Sequence, residues 1–332
     1  PAPQIAGSVP PDRGQWPRRF DRPRRIVGRV DEQLREWLLA GDPSIGWQVE
    51  RDLLDLPEST WSATQGRVAV EGWGAQLLAE RAPDGKWADG LYGPKWISTT
   101  YTLLQLWRMG LPRDHPEAVA STELLLDKPV WEFCSGRDEC VAGFGLSLSS
   151  WFTIDDDRRD DLVASILEQQ LDDGGWNCRH PRSGSTHGSF HTTINVVEGL
   201  REYSLSGGRH GADTEEAERR AMEFFATHRL YRSHRSDRIP DERMMRMPFP
   251  PRWHHDVLRG LDWFRAADAP RDDRLEDPVG VVMGHRRKDG RWPIHANYSG
   301  KDWFRMESGR APSRWNTLRA LRVLRWWNDS TE

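Results

Sequence analysis

The stretch Gln169-Gln-Leu-Asp-Asp-Gly-Gly-Trp-Asn-Cys178 decides how this chain is read. Its Asp-Gly pair is turn chemistry: Asp hydrogen-bonds to its own following backbone, and Gly accepts a positive φ without steric cost. The Trp that follows is placed to pack across the hairpin, and a Gln in the preceding helix can hydrogen-bond to the next backbone turn. Two further stretches carry the signature, Asp84-Gly-Lys-Trp87 and Asp289-Gly-Arg-Trp292. Each lies just ahead of an apolar segment with helical spacing.

Outward from these turns the chain repeats one theme. Six segments carry apolar residues at three- and four-residue steps with few charges, as helices buried on most sides should: Gly46–Leu56, Ser98–Met109, Cys140–Phe152, Phe190–Tyr203, Arg252–Phe264 and Arg314–Trp327. Between them lie polar segments with one charged face: Asp31–Ala40, Thr64–Arg81, Pro116–Leu126, Arg158–Leu171, Thr214–His228 and Leu275–His285. The buried segments start at roughly 40- to 60-residue intervals, within the range of helical-hairpin repeats. Almost no β-type alternation competes. The pattern predicts an all-α (α/α)6 toroid spanning residues 29–332, preceded by a basic, Pro-rich flexible arm over residues 1–28. If the six inner helices run parallel, their amino termini converge on one rim, where unpaired N–H groups favour anions and ionised ligands.

The three Asp-Gly-X-Trp turns resemble the Gln–Trp repeat of squalene and oxidosqualene cyclases and the Gly-Gly-aromatic turn of protein prenyltransferase β subunits. The resemblance covers most of Gly46–Trp327. It implies the terpenoid-cyclase and prenyltransferase toroid, an isoprenoid or other hydrophobic substrate, and a zinc ion of the prenyltransferase kind, held by an Asp and a Cys at the start of one inner helix and a His from the next. The sequence departs from both patterns. It has no Asp-X-Asp-Asp protonation motif; the acidic run Asp155–Asp161 has other spacing and reads as a solvated loop. The Cys of the prenyltransferase pattern is not found in place, and His187 lies nearest to it.

Bulk properties narrow the classes. The 332 residues are 37% hydrophobic and 30% charged, which suits a globular protein with a well-wetted surface. A net charge of −4 gives no global attraction for nucleic acid or anionic membrane; the cluster from Arg13 to Arg29 reads as a solvated tail. No apolar run approaches the ~20 residues of a membrane span, and no signal-peptide core lies near the start. Cys134, Cys140 and Cys178 are too few and of the wrong parity for a disulfide framework, which predicts a reducing, cytoplasmic setting. Eighteen Trp are far beyond ordinary usage and point to a thick core or an aromatic-lined cavity.

Candidate site residues follow from the rim. His187 and His191 are one helical turn apart, His255 opens the next inner helix, and Cys178 lies in the Gly-Gly-Trp loop. With Cys134 and Cys140 as rivals, Cys178, His187, His191 and His255 form the expected zinc ligand set. Polar and aromatic residues opening the inner helices supply the rest: Glu50, Arg51, Tyr101, Asn195 and Asp256 as catalytic candidates, and Trp47, Thr99, Thr192, Trp253 and Trp315 as substrate contacts. Residues 231–251 read as a long insertion, either a lid over the rim or a packed surface loop. The leading expectation is an enzyme that cyclises, isomerises or transfers a hydrophobic small molecule in the central cavity, with zinc in place of the missing Asp motif and room for a second subunit. Two alternatives are a toroid that binds a hydrophobic ligand or protein partner without turnover, and a carbohydrate-active (α/α)6 enzyme with Trp stacked on sugar rings. The Asp-Gly-X-Trp turns speak against the last.

Overall fold

A computed structural model describes residues 31–127 and 138–329, apart from the side chains of residues 181 and 182. The basic arm and Cys134 lie outside the described residues. The described chain is predominantly helical: α1 (Glu32–Leu39), α2 (Pro43–Asp52), α3 (Glu58–Gly66), α4 (Gly72–Ala79), α5 (Thr99–Met109), α6 (Pro116–Asp127), α7 (Glu139–Trp151), α8 (Arg158–Glu168), the single turn α9 (His180–Ser183), α10 (Phe190–Leu205), α11 (Gly211–Thr227), α12 (Val257–Ala266), α13 (Glu276–Gly284) and α14 (Arg314–Asp329). One short antiparallel pair joins Trp292–Pro293 to Pro312–Ser313.

Helix boundaries differ from the apolar pattern where a cap intervenes. Asp42 accepts from Ser44 N–H at 2.9 Å and Pro43 occupies the first helical position, so α2 begins ahead of Gly46. The other oxygen of Asp42 accepts from Trp73 N–H at 2.8 Å and starts α4. This shared cap breaks the segment read as Thr64–Arg81 into two helices. Asp256 accepts from Arg259 N–H at 2.8 Å, so α12 begins at Val257, and Arg252–His255 form its approach instead.

The three signature turns are built alike, atom for atom. In each, the Gly holds a φ of 77° to 85°, and the Asp carboxylate accepts from the N–H two residues on, at 3.0–3.2 Å. The Trp ring, fully buried, donates its indole N–H to a carbonyl ten residues back: Trp87 to Leu77, Trp176 to Ile166 and Trp292 to Val282, each at 2.7 Å. The same Trp gives its backbone N–H to a threonine hydroxyl in the first turns of the following helix: Thr99 at 3.1 Å, Thr193 at 3.0 Å and Thr317 at 3.0 Å. One residue thus ties the outgoing helix to the incoming one. The expected Gln contact is present once: Gln170 donates to Gly174 O and Ala217 O, both at 2.9 Å.

The apolar helices follow one another in contact. α5 packs on α7, α7 on α10, α12 on α14, and α14 on α2. The α7–α10 contact is the closest, because Gly143 and Gly199 leave no Cβ between the backbones; a Cβ on Gly143 would sit 2.3 Å from Asn195 O. Polar bonds make the remaining joins: Trp47 and Gln48 donate to Met109 O and Arg108 O at 2.8 and 3.3 Å, and Arg259 binds Glu198. The amphipathic helices pack on this series, α3 on α2, α6 on α5 and α7, α8 on α7, α11 on α10 and α13 on α12. Charges line the inner helices' facing sides. Arg108 and Arg259 clamp Glu198, which their charge holds down at about 2 against the pull of burial. Arg322 binds Asp262, Gln48 at 2.8 Å and Asp52 at 3.1 Å, and so joins α14 to α12 and α2. Arg265 also pairs with Asp262, and Arg319 lies 3.7 Å from Asp256.

Among the described residues no helix is long and apolar enough to cross a membrane. The expected insertion is a packed segment: Tyr231, Met244 and Met247 are buried, and Phe249 stacks on Trp315 with ring centres 3.9 Å apart.

The threonine staple yields a direct expectation. Thr99→Val, Thr193→Val and Thr317→Val each strand a buried Trp N–H and should destabilise by about 1–3 kcal/mol in urea unfolding. Thr227→Val, whose hydroxyl meets only exposed charged groups, Glu223 and Arg274, should stay within about 0.5 kcal/mol. Three neutral staple variants would show that the turn does not depend on this bond.

Candidate metal centre

The Trp176 turn also sets the position of Cys178, two residues on. Next to Thr193, Thr192 accepts from Cys178 N–H and donates to Cys178 Sγ, both at 3.5 Å. From α7, Cys140 N–H points at the same sulfur at 3.4 Å, one of the helix-terminal N–H groups with no intrahelical acceptor. Cys178 therefore collects donors from two helix amino termini. One ligand atom from each of Asp138, Cys140 and Cys178 lies within 4.8 Å of the other two.

These groups form an electrostatic unit. The hydrogen bond from Cys140 holds the Cys178 thiol below the ordinary range, and the same contact, with burial, pushes Cys140 well up. Cys178 is thus the first to carry a charge. Glu139, between Asp138 and Cys140 in the chain, is buried beside the Cys178 thiol. Burial pushes its pKa up. A buried carboxyl beside two thiols is a donor-rich setting whose chemistry fits a cation. Beyond the thiols, Tyr101 meets Tyr92 hydroxyl to hydroxyl at 3.2 Å. Burial pushes Tyr92 up to about 12 and Tyr101 higher still. Lys95 Nζ lies 5.5–5.9 Å from the rings of Tyr92, Trp96 and Trp253.

The ligand set read from the sequence is corrected in part. Cys178 keeps its place, and Asp138 and Cys140 join it; among the described residues His187, His191 and His255 are not in the group. The histidines lie in other surroundings. His187 is exposed, and its carbonyl accepts from Asn177 at 2.7 Å. His191 Nδ1 accepts from His255 N–H at 2.8 Å. His255 lies between Phe190 and Phe225, and its Nε2 bonds Leu230 O at 2.7 Å, so that nitrogen is the donor. The available signal was Asp138-Glu139-Cys140, two ligands within the opening turn of a buried helix.

The other candidates divide by their partners. Thr192 stands at the thiols and Tyr101 beside them. Thr99 is the staple of the first turn. Trp47 crosses to Met109 O with Arg51 stacked over its ring at 4.4 Å; Arg51 also pairs with Asp52 at 2.7 Å. Asn195 is fully engaged, donating to His191 O and Trp253 O and accepting from Arg259. Glu50 retains one buried, unpaired oxygen. Trp253 stacks on His254 at 3.8 Å, and Trp315 lies under Phe249. Asp256 is fully buried, one oxygen capping α12 and the other without a partner; burial raises its pKa. The cavity bordered by Trp96, Gln105, Phe249, Arg252, Trp303 and Asn316 leaves about 20 Å³ for the centre of a water molecule. Segments 249–252 and 294–307 supply most of its lining.

No family model, curated protein or solved structure matches the chain.

Three histidines here are held neutral. Burial, then neighbouring positive charge, pushes His191 down to about 4 and His254 and His255 down to about 3. Unfolded histidine titrates near 6.5, so below that pH the unfolded chain takes up protons that the native one refuses. Stability should be intact above about pH 6.5 and fall as pH drops toward the folded values. For fully buried His255 the slope approaches about 1.4 kcal/mol per pH unit. Urea unfolding at pH 7, 6 and 5 should show this fall, and His255→Gln should flatten it by about one proton; an unchanged slope would place a charge on the native ring.

Proposed function

We propose that the helical series closes as an (α/α)6 toroid, and that the chain is a metal-dependent enzyme with its centre at the amino-terminal rim. The observation that carries this reading is the trio Asp138, Cys140 and Cys178, brought within 4.8 Å from two hairpins. Support for the ring comes from α14, the last helix, which bonds to α2 through Arg322.

Two cysteines and a carboxylate are a donor set for a thiophilic divalent ion, zinc first. Such an ion, with a coordination position open, supplies Lewis acidity or holds an anionic nucleophile. The protein's own groups do the rest. Thr192 and the Cys140 N–H orient Cys178 Sγ, as second-layer donors do around metal ligands. Glu139 lies ready as a proton acceptor beside the thiols. The Tyr92–Tyr101 hydroxyl pair faces the same space, and Tyr92 and Trp253, both half-buried, offer an apolar bed at the mouth. We infer a hydrophobic small molecule, isoprenoid or similar, bound against that bed and transferred or cyclised there. A ligand of drug-like size needs about 300–1,000 Å³, so the rim suits it better than the cavity next to Phe249.

One observation favours a second reading, binding without turnover: the chain's own aromatic side chains already fill the space near Trp315 and Trp96. Metal separates the two. Protein purified without a His tag should carry about one zinc per chain by elemental analysis. Cys178→Ala and Cys140→Ala should lose it, the double change His187→Ala and His191→Ala should keep it, and Thr192→Val should weaken it about tenfold. Protein that neither contains zinc nor takes it up, or that keeps it in Cys178→Ala, would remove the proposed centre.

A further inference from the structure

Between the opening turns of α12 and α14, away from the thiols, several buried polar atoms have nothing to bind. Arg319 is 4% exposed; its Nη1 has no partner, and its one ion-pair partner among the described residues, Asp256, lies 3.7 Å away. Trp315, one helical turn before Arg319 and so on the same face of α14, has a buried indole N–H without an acceptor. Asp256 contributes an oxygen that also lacks a partner. A buried guanidinium and a buried indole N–H left unmatched are each costly, and a folded protein rarely leaves them uncompensated in one place.

We propose that this space is a binding site for a small carboxylate-bearing ligand, gripped by Arg319 Nη1 and Trp315 Nε1 and closed by Asp256. The site is independent of the metal centre and of the reaction proposed there. Two donors of one face match the two oxygens of a carboxylate, which only accepts. Burial raises the pKa of Asp256, which lessens its repulsion of a ligand carboxylate. Phe249 roofs the site, 3.9 Å from Trp315 and with Arg319 5.8 Å from its ring. The body of the ligand would therefore lie against aromatic surface.

The smallest probe is formate. Thermal unfolding of the full chain is followed as sodium formate replaces sodium chloride at constant ionic strength, with formamide as the neutral counterpart. A saturable rise of about 5 °C with formate, and none with formamide, is expected from ligand linkage. Trp315→Phe, which removes only the N–H and keeps the ring, should raise the half-saturating concentration about tenfold; Arg319→Met should abolish the response. The proposal is overturned if formate gives no saturable shift, if formamide does as well, or if Trp315→Phe leaves the midpoint unchanged. The Trp315 variant decides the matter should Arg319→Met not fold.

Discussion

An indole that reaches back ten residues with its side chain while its backbone N–H reaches forward to a threonine is the constraint on which this structure rests. A helical hairpin alone is free to vary its opening angle. With the Trp ring buried and both of its N–H groups satisfied on opposite arms, that freedom is removed. The turn before each Trp needs a Gly at positive φ and an Asp to hold the bend, so four residues specify one joint. Because the threonine lies in the first turns of the incoming helix, the joint also fixes where that helix begins. The candidate metal group inherits this accuracy: Cys178 is two residues from Trp176, and Thr192 is next to Thr193.

The metal-ligand candidates show how helix starts sort residues. Cys140 is in the first turn of α7, and Asp138 immediately precedes that helix, so both are held close to the Cys178 loop. His191 and His255 are also near helix starts, yet they turn into the wall between α10 and α12. There His191 accepts a backbone N–H and His255 bonds a carbonyl. Their depressed pKa values express that role. A neutral imidazole with both neighbours aromatic is packing material with one polar edge.

The interior of the helix series combines ion pairs with stacked rings. Buried pairs are costly to assemble and yet costly to break singly, so Arg322, with Asp262, Asp52 and Gln48, ties three helices in one register. Toward the amino-terminal side, Phe249 stacks on Trp315, Tyr298 on His254, and Arg252 reaches Asp302 and Gln105. These come from the two longest connections, residues 228–256 and 285–313.

Much of the fold was legible along the chain, because its signals are local. Helical spacing marked every buried helix from Gly46 to Trp327. Asp-Gly-X-Trp marked the joints, and the absence of β-type alternation matched a structure whose described residues hold only one two-residue strand pair. Boundaries failed where a cap acted from a distance, as Asp42 does on α4. The site was half legible: Cys178 was identified, and Asp138-Glu139-Cys140 stood at a recognisable helix start. What only the tertiary structure decided is which side chains meet. Asp138 and Cys140 are about forty residues from Cys178, and Arg319 more than sixty from Asp256; spacing along a chain says nothing about such pairs, since the turn of each helix about its own axis is set by the packing of all its neighbours.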